Sequence, residues 1–374
     1  MAPLMSDTQV IQRVLDHVDA KSTDLGEAVW REPVDNYRSE ERFAREVELL
    51  RRLPVVFCPS AALPENGSYV ARTSSGTPLI AVRGDDGVVR AFHNACRHRG
   101  MAVAEGSGSA RAFVCPYHAW AYGLDGQLKH IPGDDGFPDL VMEEHGLVPV
   151  KVTEHGGLVF VTQKEPISDG ALETLPELIV PGQEVFEHVT LTDDANWKIL
   201  LETGMEGYHI KPLHNKSFYP YGFDNLNVVE ADGPNGRVTF PFRRISKLRD
   251  IPAEERRAPG MLTYAHQIFP NTRLSMLSSH YQMVIHEPVS PGVSQMVIYR
   301  LRTPLTGESA EALEKSDRDA SFVKDTGVIE DRAAACAIQR SMAGDANTHF
   351  TFGRYEAAAV HFHKHLDRLL DAMG

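Results

Sequence analysis

Two short segments hold the residues best able to do chemistry. Cys96-Arg97-His98-Arg99-Gly100 and Cys115-Pro116-Tyr117-His118-Ala119-Trp120 read as Cys-x-His, sixteen intervening residues, then Cys-x-x-His. Two thiolates and two imidazoles could hold tetrahedral zinc. They could instead hold a [2Fe–2S] cluster in which two His replace two Cys on one iron. The order separates these: each loop supplies one Cys and one His and so can reach both irons, whereas a zinc finger usually groups its Cys and its His. Cys-x-His is also tighter than the usual zinc arm, so the spacing favours the mixed-ligand cluster. Gly100 and Pro116 are turn residues able to aim backbone N–H groups at cluster sulfurs. His98 and His118 belong at the surface end, where an electron enters and leaves, with Arg97 and Arg99 beside them as solvated charges.

A second group follows at Glu206-Gly207-Tyr208-His209 and Lys211-Pro212-Leu213-His214. Five residues apart on a regular helix, His209 and His214 would lie about 140° apart around the axis. A break or kink at Pro212 could turn both toward one point. Two imidazoles and a carboxylate make the facial triad of non-haem Fe(II) sites, with positions left open for dioxygen. Alone, such a pair reads as structural or surface histidines. Beside a cluster motif it gains weight, because an electron-delivery centre needs a place of delivery. Glu206 shares a helix face with His209, so it could ligate or could hydrogen-bond a metal-bound His. Asp331, in Val328-Ile329-Glu330-Asp331-Arg332, is the chosen third ligand. Glu330 and Asp345 compete, and Glu330 and Asp331 would in any case favour a helix N-terminus.

Other reactive residues read blandly. His361, His363 and His365 alternate on the last helix and are expected to be solvated. Ser279-His280 lacks a nucleophile elbow. Tyr208 and Trp120 are expected to pack beside the metals, and Cys58 and Cys336 to be buried thiols.

The elements that must position these residues fall into three textures. Residues 1–53 show helical periodicity over 8–20 and 39–51. From 54 to 163 short alternating runs predict a small all-β domain carrying the cluster loops, with a hairpin over 79–83 and 88–92 turned at Asp85-Asp86-Gly87. Residues 147–150 and 158–161 read as its closing strands. A Pro-, Gly- and acid-rich stretch over about 164–185 reads as a linker opening a third region, 164–374. There, a strand over 185–192 precedes a helical start at 197–214, and strands span about 225–304. Their last long hairpin, 281–287 with 295–302, turns at Ser290-Pro291-Gly292. Helices over 329–343 and 356–373 complete an α+β catalytic domain, an antiparallel sheet wrapped against a helix.

Composition sets outer limits. An apolar fraction of 42% and a charged fraction of 24% over 374 residues suit two or three ordinary globular domains. A net charge of −13 argues against nucleic acid or an anionic membrane as partner. No stretch approaches the ~20 apolar residues of a membrane span, and Met1-Ala2-Pro3-Leu4 lacks a signal pattern. Four Cys, two of them in the motif, point to a reducing cytoplasm rather than a disulfide framework.

With both groups in view the chain resembles the catalytic α subunit of Rieske non-haem iron oxygenases, the aromatic-ring-hydroxylating dioxygenase family. The likeness covers nearly the whole chain. It rests on Asn94–Gly100, Cys115–Trp120, Leu124-Asp125-Gly126, Asn196-Trp197-Lys198, Glu206-Gly207-Tyr208-His209 with His214, and Glu330-Asp331 followed by Gln339. It implies an all-β Rieske domain inserted into a helix-grip catalytic domain, usually in a homotrimer. It also implies a Rieske [2Fe–2S] cluster on Cys96, His98, Cys115 and His118, and mononuclear Fe(II) on His209, His214 and Asp331. Glu206 would bridge to His118 of a neighbouring subunit, because the two metals of one chain lie too far apart for fast transfer. Many ring dioxygenases have Asp at that position; several members acting on quaternary amines resemble the Glu version. Thr203, after Glu202, stands where the family often has Asn.

The expected activity is oxygenation of an aromatic or related small organic substrate. Electrons come from NAD(P)H through a separate reductase or ferredoxin, since no G-x-G-x-x-G fingerprint follows a strand here. They reach the iron through His118, Glu206 and His209. Oxidative N- or O-demethylation and quaternary-amine monooxygenation are the alternatives within the family. The substrate pocket is expected around 201–205 and 261–276. Outside the family, the rivals are a non-catalytic Rieske electron carrier, which leaves the long C-terminal region unexplained, and a zinc-stapled binding protein, which would be colourless.

Overall fold

The computed structural model describes residues 4–303, 307 and 309–373. Met1–Pro3 and residue 304, at the end of the expected strand run, lie outside the described residues. The chain divides into two compact units, one of residues 1–49, 168–175 and 183–374, the other of residues 50–167 and 176–182.

The smaller unit is built on a seven-stranded antiparallel sheet. Its order is Val55–Pro59, Leu158–Thr162, Pro149–His155, Val89–His93, Thr77–Arg83, Ser68–Ser74 and Gly106–Ser109. The hairpin around Gly87 forms as its turn chemistry predicts, with Gly87 at φ +77°. A three-stranded sheet of Phe113–Val114, Ala121–Tyr122 and Leu128–His130 completes the fold. Its core gathers Ile80, Phe92, Phe113, Trp120 and Tyr122 around the two cysteines Cys96 and Cys115.

The larger unit carries a second seven-stranded antiparallel sheet. Its order is Val185–Asp193, Val293–Arg302, His280–Ser290, Thr272–Met276, Leu262–Ile268, Asn235–Pro241 and Val228–Asp232. The last long hairpin pairs Glu287 with Gln295 and Tyr281 with Leu301, as its turn implies. One face, at Val284, Met296 and Ile298, packs against Ile199 and Leu200 of helix Trp197–Glu202 and Ala335 of helix Ile329–Ser341. The opposite face, at Val228 and Tyr264, takes Val10, Ile11 and Val14 of helix Asp7–Ala20, which opens with a capping box on Ser6 and Gln9. The long helix Ala357–Ala372 sets Phe362 edge-on to Trp197.

Several expectations need correction. The acid-rich stretch is not a free linker: Ala171 and Leu175 are buried in the larger unit, and Leu178 and Ile179 in the smaller. A Cβ on Gly157 would come within 2.1 Å of the Ile179 carbonyl oxygen, so only glycine lets that segment lie so close. Helix Ala310–Val323, a π-helical turn Lys324–Val328, and the strand pair Trp30–Pro33 with His349–Phe352 were not expected. His363 is not solvated: it is fully buried, with Nε2 2.8 Å from Glu202 and 3.2 Å from the Tyr37 hydroxyl. Cys58 is buried, and burial pushes its thiol up to about 12; Cys336 is only partly covered. Tyr208 is more than half exposed and stacks on Tyr355 instead of packing inward.

Candidate metal centres

The two cysteine loops share one backbone design. Cys96 N–H donates to the Met101 carbonyl (2.8 Å) while Gly100 N–H donates to the Cys96 carbonyl (2.8 Å). In the second loop Cys115 N–H donates to the Trp120 carbonyl and Ala119 N–H to the Cys115 carbonyl, both at 2.9 Å. Each loop therefore needs left-handed backbone four residues after its Cys. Gly100 supplies φ +80° without strain, and Ala119 adopts +58°. Both thiols are buried, whereas the His98 and His118 rings lie side by side with centroids 4.6 Å apart. Trp120 is buried and stacks on His98 at 5.0 Å and 9°. Tyr122 accepts from Arg97 N–H (2.9 Å), and its hydroxyl lies 3.2 Å from Cys96 Sγ. Arg97 and Arg99 are exposed as expected, though Arg99 also donates to His118 Nε2 at 2.9 Å. Buried thiols beneath paired imidazoles, with His98 Nδ1 sealed and unbonded among the described residues, form a donor set that suits a mixed-ligand cluster.

In the larger unit, residue type dictates how the second group is held. Asn196 caps helix Trp197–Glu202, accepting from Lys198 N–H at 3.0 Å. Its own N–H donates to Gln339 Oε1 at 2.9 Å, tying this helix to helix Ile329–Ser341. Trp197 Nε1 (3.0 Å) and Lys198 Nζ (2.8 Å) both donate to buried Glu46. The helix ends at Glu202, so the chain is already irregular before His209. Pro212 kinks nothing; it sits inside the single turn Ile210–Leu213, where a missing N–H costs no bond. His209 and His214 flank that turn with ring centroids 5.0 Å apart.

Asp331 reaches them from the other helix. Its Oδ1 lies 3.0 Å from His214 Nε2 and 3.6 Å from His209 Nε2, and one donor atom from each residue falls within 4.8 Å of the others. Glu206 hydrogen-bonds His209 Nδ1 and accepts from His209 N–H at 3.1 Å. Glu330 Oε2 sits 2.7 Å from His214 Nδ1 and accepts from the Ser217 hydroxyl at 2.6 Å. With both Nδ1 positions engaged by carboxylates, neutral imidazoles turn Nε2 lone pairs toward Asp331 Oδ1, itself buried without a well-formed hydrogen bond. Converging lone pairs with no proton between them fit a cation. Burial pulls the His214 imidazole down, but the Asp331 and Glu330 carboxylates outweigh it and hold it above its usual value.

Of the competing carboxylates, Glu330 is on the far side of His214, and Asp345 pairs with Arg38. A cavity of about 550 Å³ lies beside Glu206, lined also by Ile199, Glu202, Thr203, Phe350 and Glu356. Burial, then the charges of Glu206 and Glu202, push Glu356 up to about 7. Sequence reasoning missed Ser217 and the orienting position of Glu330. Only adjacency to Asp331 hinted at the latter.

A family model described as the ring hydroxylating alpha subunit (catalytic domain) matches residues 183–372, and one for the Rieske [2Fe-2S] domain matches residues 54–151. The glycine betaine monooxygenase oxygenase subunit of Chromohalobacter salexigens is 31% identical over 274 residues, 71% of this chain and 59% of that protein. The carnitine monooxygenase oxygenase subunit of Escherichia coli K12 is 33% identical over 199 residues, 50% and 52% of the two chains. The chain thus spans between half and two thirds of the length of these relatives. In fold it resembles a quaternary ammonium Rieske monooxygenase with TM-score 0.79 at 21% identity, over 99% of both chains. No helix among the described residues is long and apolar enough to cross a membrane. The chain belongs to the ring-hydroxylating alpha subunits of the Rieske oxygenases.

Proposed function

We propose that this chain is an oxygenase subunit acting on a small quaternary ammonium substrate, taking its electrons from a separate NAD(P)H-dependent reductase. The observation that carries the oxygenase reading is the convergence of His209, His214 and Asp331 within 4.8 Å, each imidazole backed by its own carboxylate. The quaternary-ammonium reading rests on the two relatives above and on Glu206, where many ring dioxygenases have Asp.

His209, His214 and Asp331 would hold the mononuclear iron, and Cys96, His98, Cys115 and His118 the cluster. When bound, these groups supply dioxygen activation and one-electron storage. The protein fixes geometry and protons around them. Glu206 and Glu330 each accept an Nδ1–H, which locks the tautomer and aims Nε2. The overall reaction places one oxygen atom in a substrate C–H bond. The other leaves as water, formed with two electrons and two protons. Supply of those electrons across a homotrimer interface through Glu206 belongs to the same proposal.

Substitution Glu206→Gln tests it. Both metals should stay bound while substrate-coupled oxygen uptake slows at least about 100-fold, as expected when an interaction specific to the active path is lost. Normal coupled turnover in that variant would refute the electron route. Three irons per chain in purified protein are expected; two would restore the electron-carrier reading.

A further inference from the structure

The sheet face that looks toward the iron triad carries an uncompensated positive charge. Arg273 lies on strand Thr272–Met276, opposite Val284 on one neighbour and Gln267 on the other. Val284 packs beneath helices Trp197–Glu202 and Ile329–Ser341, so Arg273 projects under the same two helices. Gly204, two residues before Glu206, makes room for it: a Cβ there would fall 1.4 Å from Arg273 Nη1. The guanidinium also feels the charge of Asp331, and burial holds its proton affinity below the usual arginine range.

No hydrogen bond or ion pair engages the Arg273 side chain among the described residues, and its Nε is sealed from solvent. Its neighbours are in the same condition. Gln267, 6% exposed, has neither amide atom bonded, and His286, 0% exposed, has neither ring nitrogen bonded. Burial, then the Arg273 charge, holds His286 well below its usual value, so it stands neutral with one N–H to give. Gln267 faces Arg273 across the strand pair. His286 follows Val284 by two, on the same face of the sheet. Burying a cation and two polar groups without partners is costly, on the order of 1–3 kcal/mol per neutral group and more for the charge. All three supply donors: a guanidinium fork, an amide NH₂ and an imidazole N–H. Such a set is complementary to a carboxylate.

We infer that Arg273, with Gln267 and His286, binds a carboxylate group of the substrate and so restricts this enzyme to organic acids or zwitterions. This rests on the oxygenase reading for the place of the triad, and it deepens that reading by naming the substrate's second functional group. The shared chemistry could come from a betaine-type zwitterion or from an aromatic acid.

Calorimetric titration of the anaerobic, metal-replete protein separates these without turnover. Glycine betaine is compared with choline, and benzoate with benzamide, each pair differing at the carboxylate. At least one carboxylate should bind about 10-fold or more tighter than its counterpart, and Arg273→Gln should erase that preference. Response to the first pair alone identifies a zwitterion, to the second alone an aromatic acid. Equal binding within both pairs, a preference that survives Arg273→Gln, or no carboxylate binding at millimolar concentration would each overturn the inference. Iron content and cluster spectrum, measured on the same samples, report separately on the oxygenase reading. If Arg273→Gln fails to fold, Gln267→Leu, which keeps the guanidinium, should still weaken the preferred carboxylate several-fold; unchanged affinity there also counts against the site.

Discussion

Glu330 holds His214 from behind: its Oε2 lies 2.7 Å from Nδ1, while the next residue, Asp331, stands 3.0 Å from Nε2 on the other side of the ring. Two consecutive acids thus grip one imidazole by both nitrogens, and only one of them faces His209. Asp331→Ala is expected to abolish iron binding at this site and leave the cluster spectrum intact. Glu330→Ala, which frees the ring to turn, should cost about 10–100-fold in iron affinity. Competition against a chromophoric chelator measures both; equal losses in the two variants would contradict the division of roles.

Gly327 sits in the π-helical turn against Phe218, whose ring lies 5.0 Å from that of His214. A Cβ on Gly327 would approach Phe218 Cε2 to 2.2 Å. Gly327→Ala should therefore lower unfolding stability by about 1–3 kcal/mol through overpacking, and should weaken iron retention as Phe218 is pressed toward His214. Adding Phe218→Leu should return part of both losses. Urea titration of the single and double variants gives the coupling.

The Tyr122 hydroxyl is 3.2 Å from Cys96 Sγ. Donated to a cluster thiolate, that bond favours the reduced state, so Tyr122→Phe should lower the midpoint potential by on the order of tens of millivolts. Redox titration followed by electron paramagnetic resonance reads the shift directly.

Acid should unfold the larger unit through buried imidazoles. Burial, then Arg237, lowers His266 to about 3, and burial, then Arg300, lowers His280 to about 4. Both are neutral in the folded chain but bind protons near their ordinary 6.5 once unfolded, so the unfolded state takes up more protons below that pH. Stability is complete above about 6.5 and falls as pH drops toward 4 and then 3. In His266→Gln the dependence of unfolding free energy on pH between 6 and 4 should be shallower by close to one proton. An unchanged slope would exclude His266 as a contributor.

Much of this was legible in the residues because ligand spacing and turn chemistry are local properties. The two Cys loops, the Gly87 hairpin and the Ser290-Pro291-Gly292 turn depend on a few neighbours, and the α+β character of the larger unit follows from strand and helix periodicity. What failed to show was decided at long range. His363 belongs to an alternating His run that looks solvated, yet Tyr37 and Glu202 bury it from distant parts of the chain. Pro212 looked like the device that brings His209 and His214 together, but the helix had already ended at Glu202. Arg273 is one charged residue in a strand, and only the sheet's pairing reveals that Gln267 flanks it.

The π-helical turn Lys324–Val328 precedes Glu330 and Asp331 by less than a turn. Such a turn stores one residue more than α-helical winding needs. Deleting a single residue there would let the helix rewind, swinging everything after it by about 100° and drawing it back by about 1.5 Å. Asp331 would then point away from the two histidines although every ligand residue was still present in the chain. A one-codon loss at this point would leave an intact, foldable and inert protein, which makes the winding of this segment as much a determinant of activity as the ligands themselves.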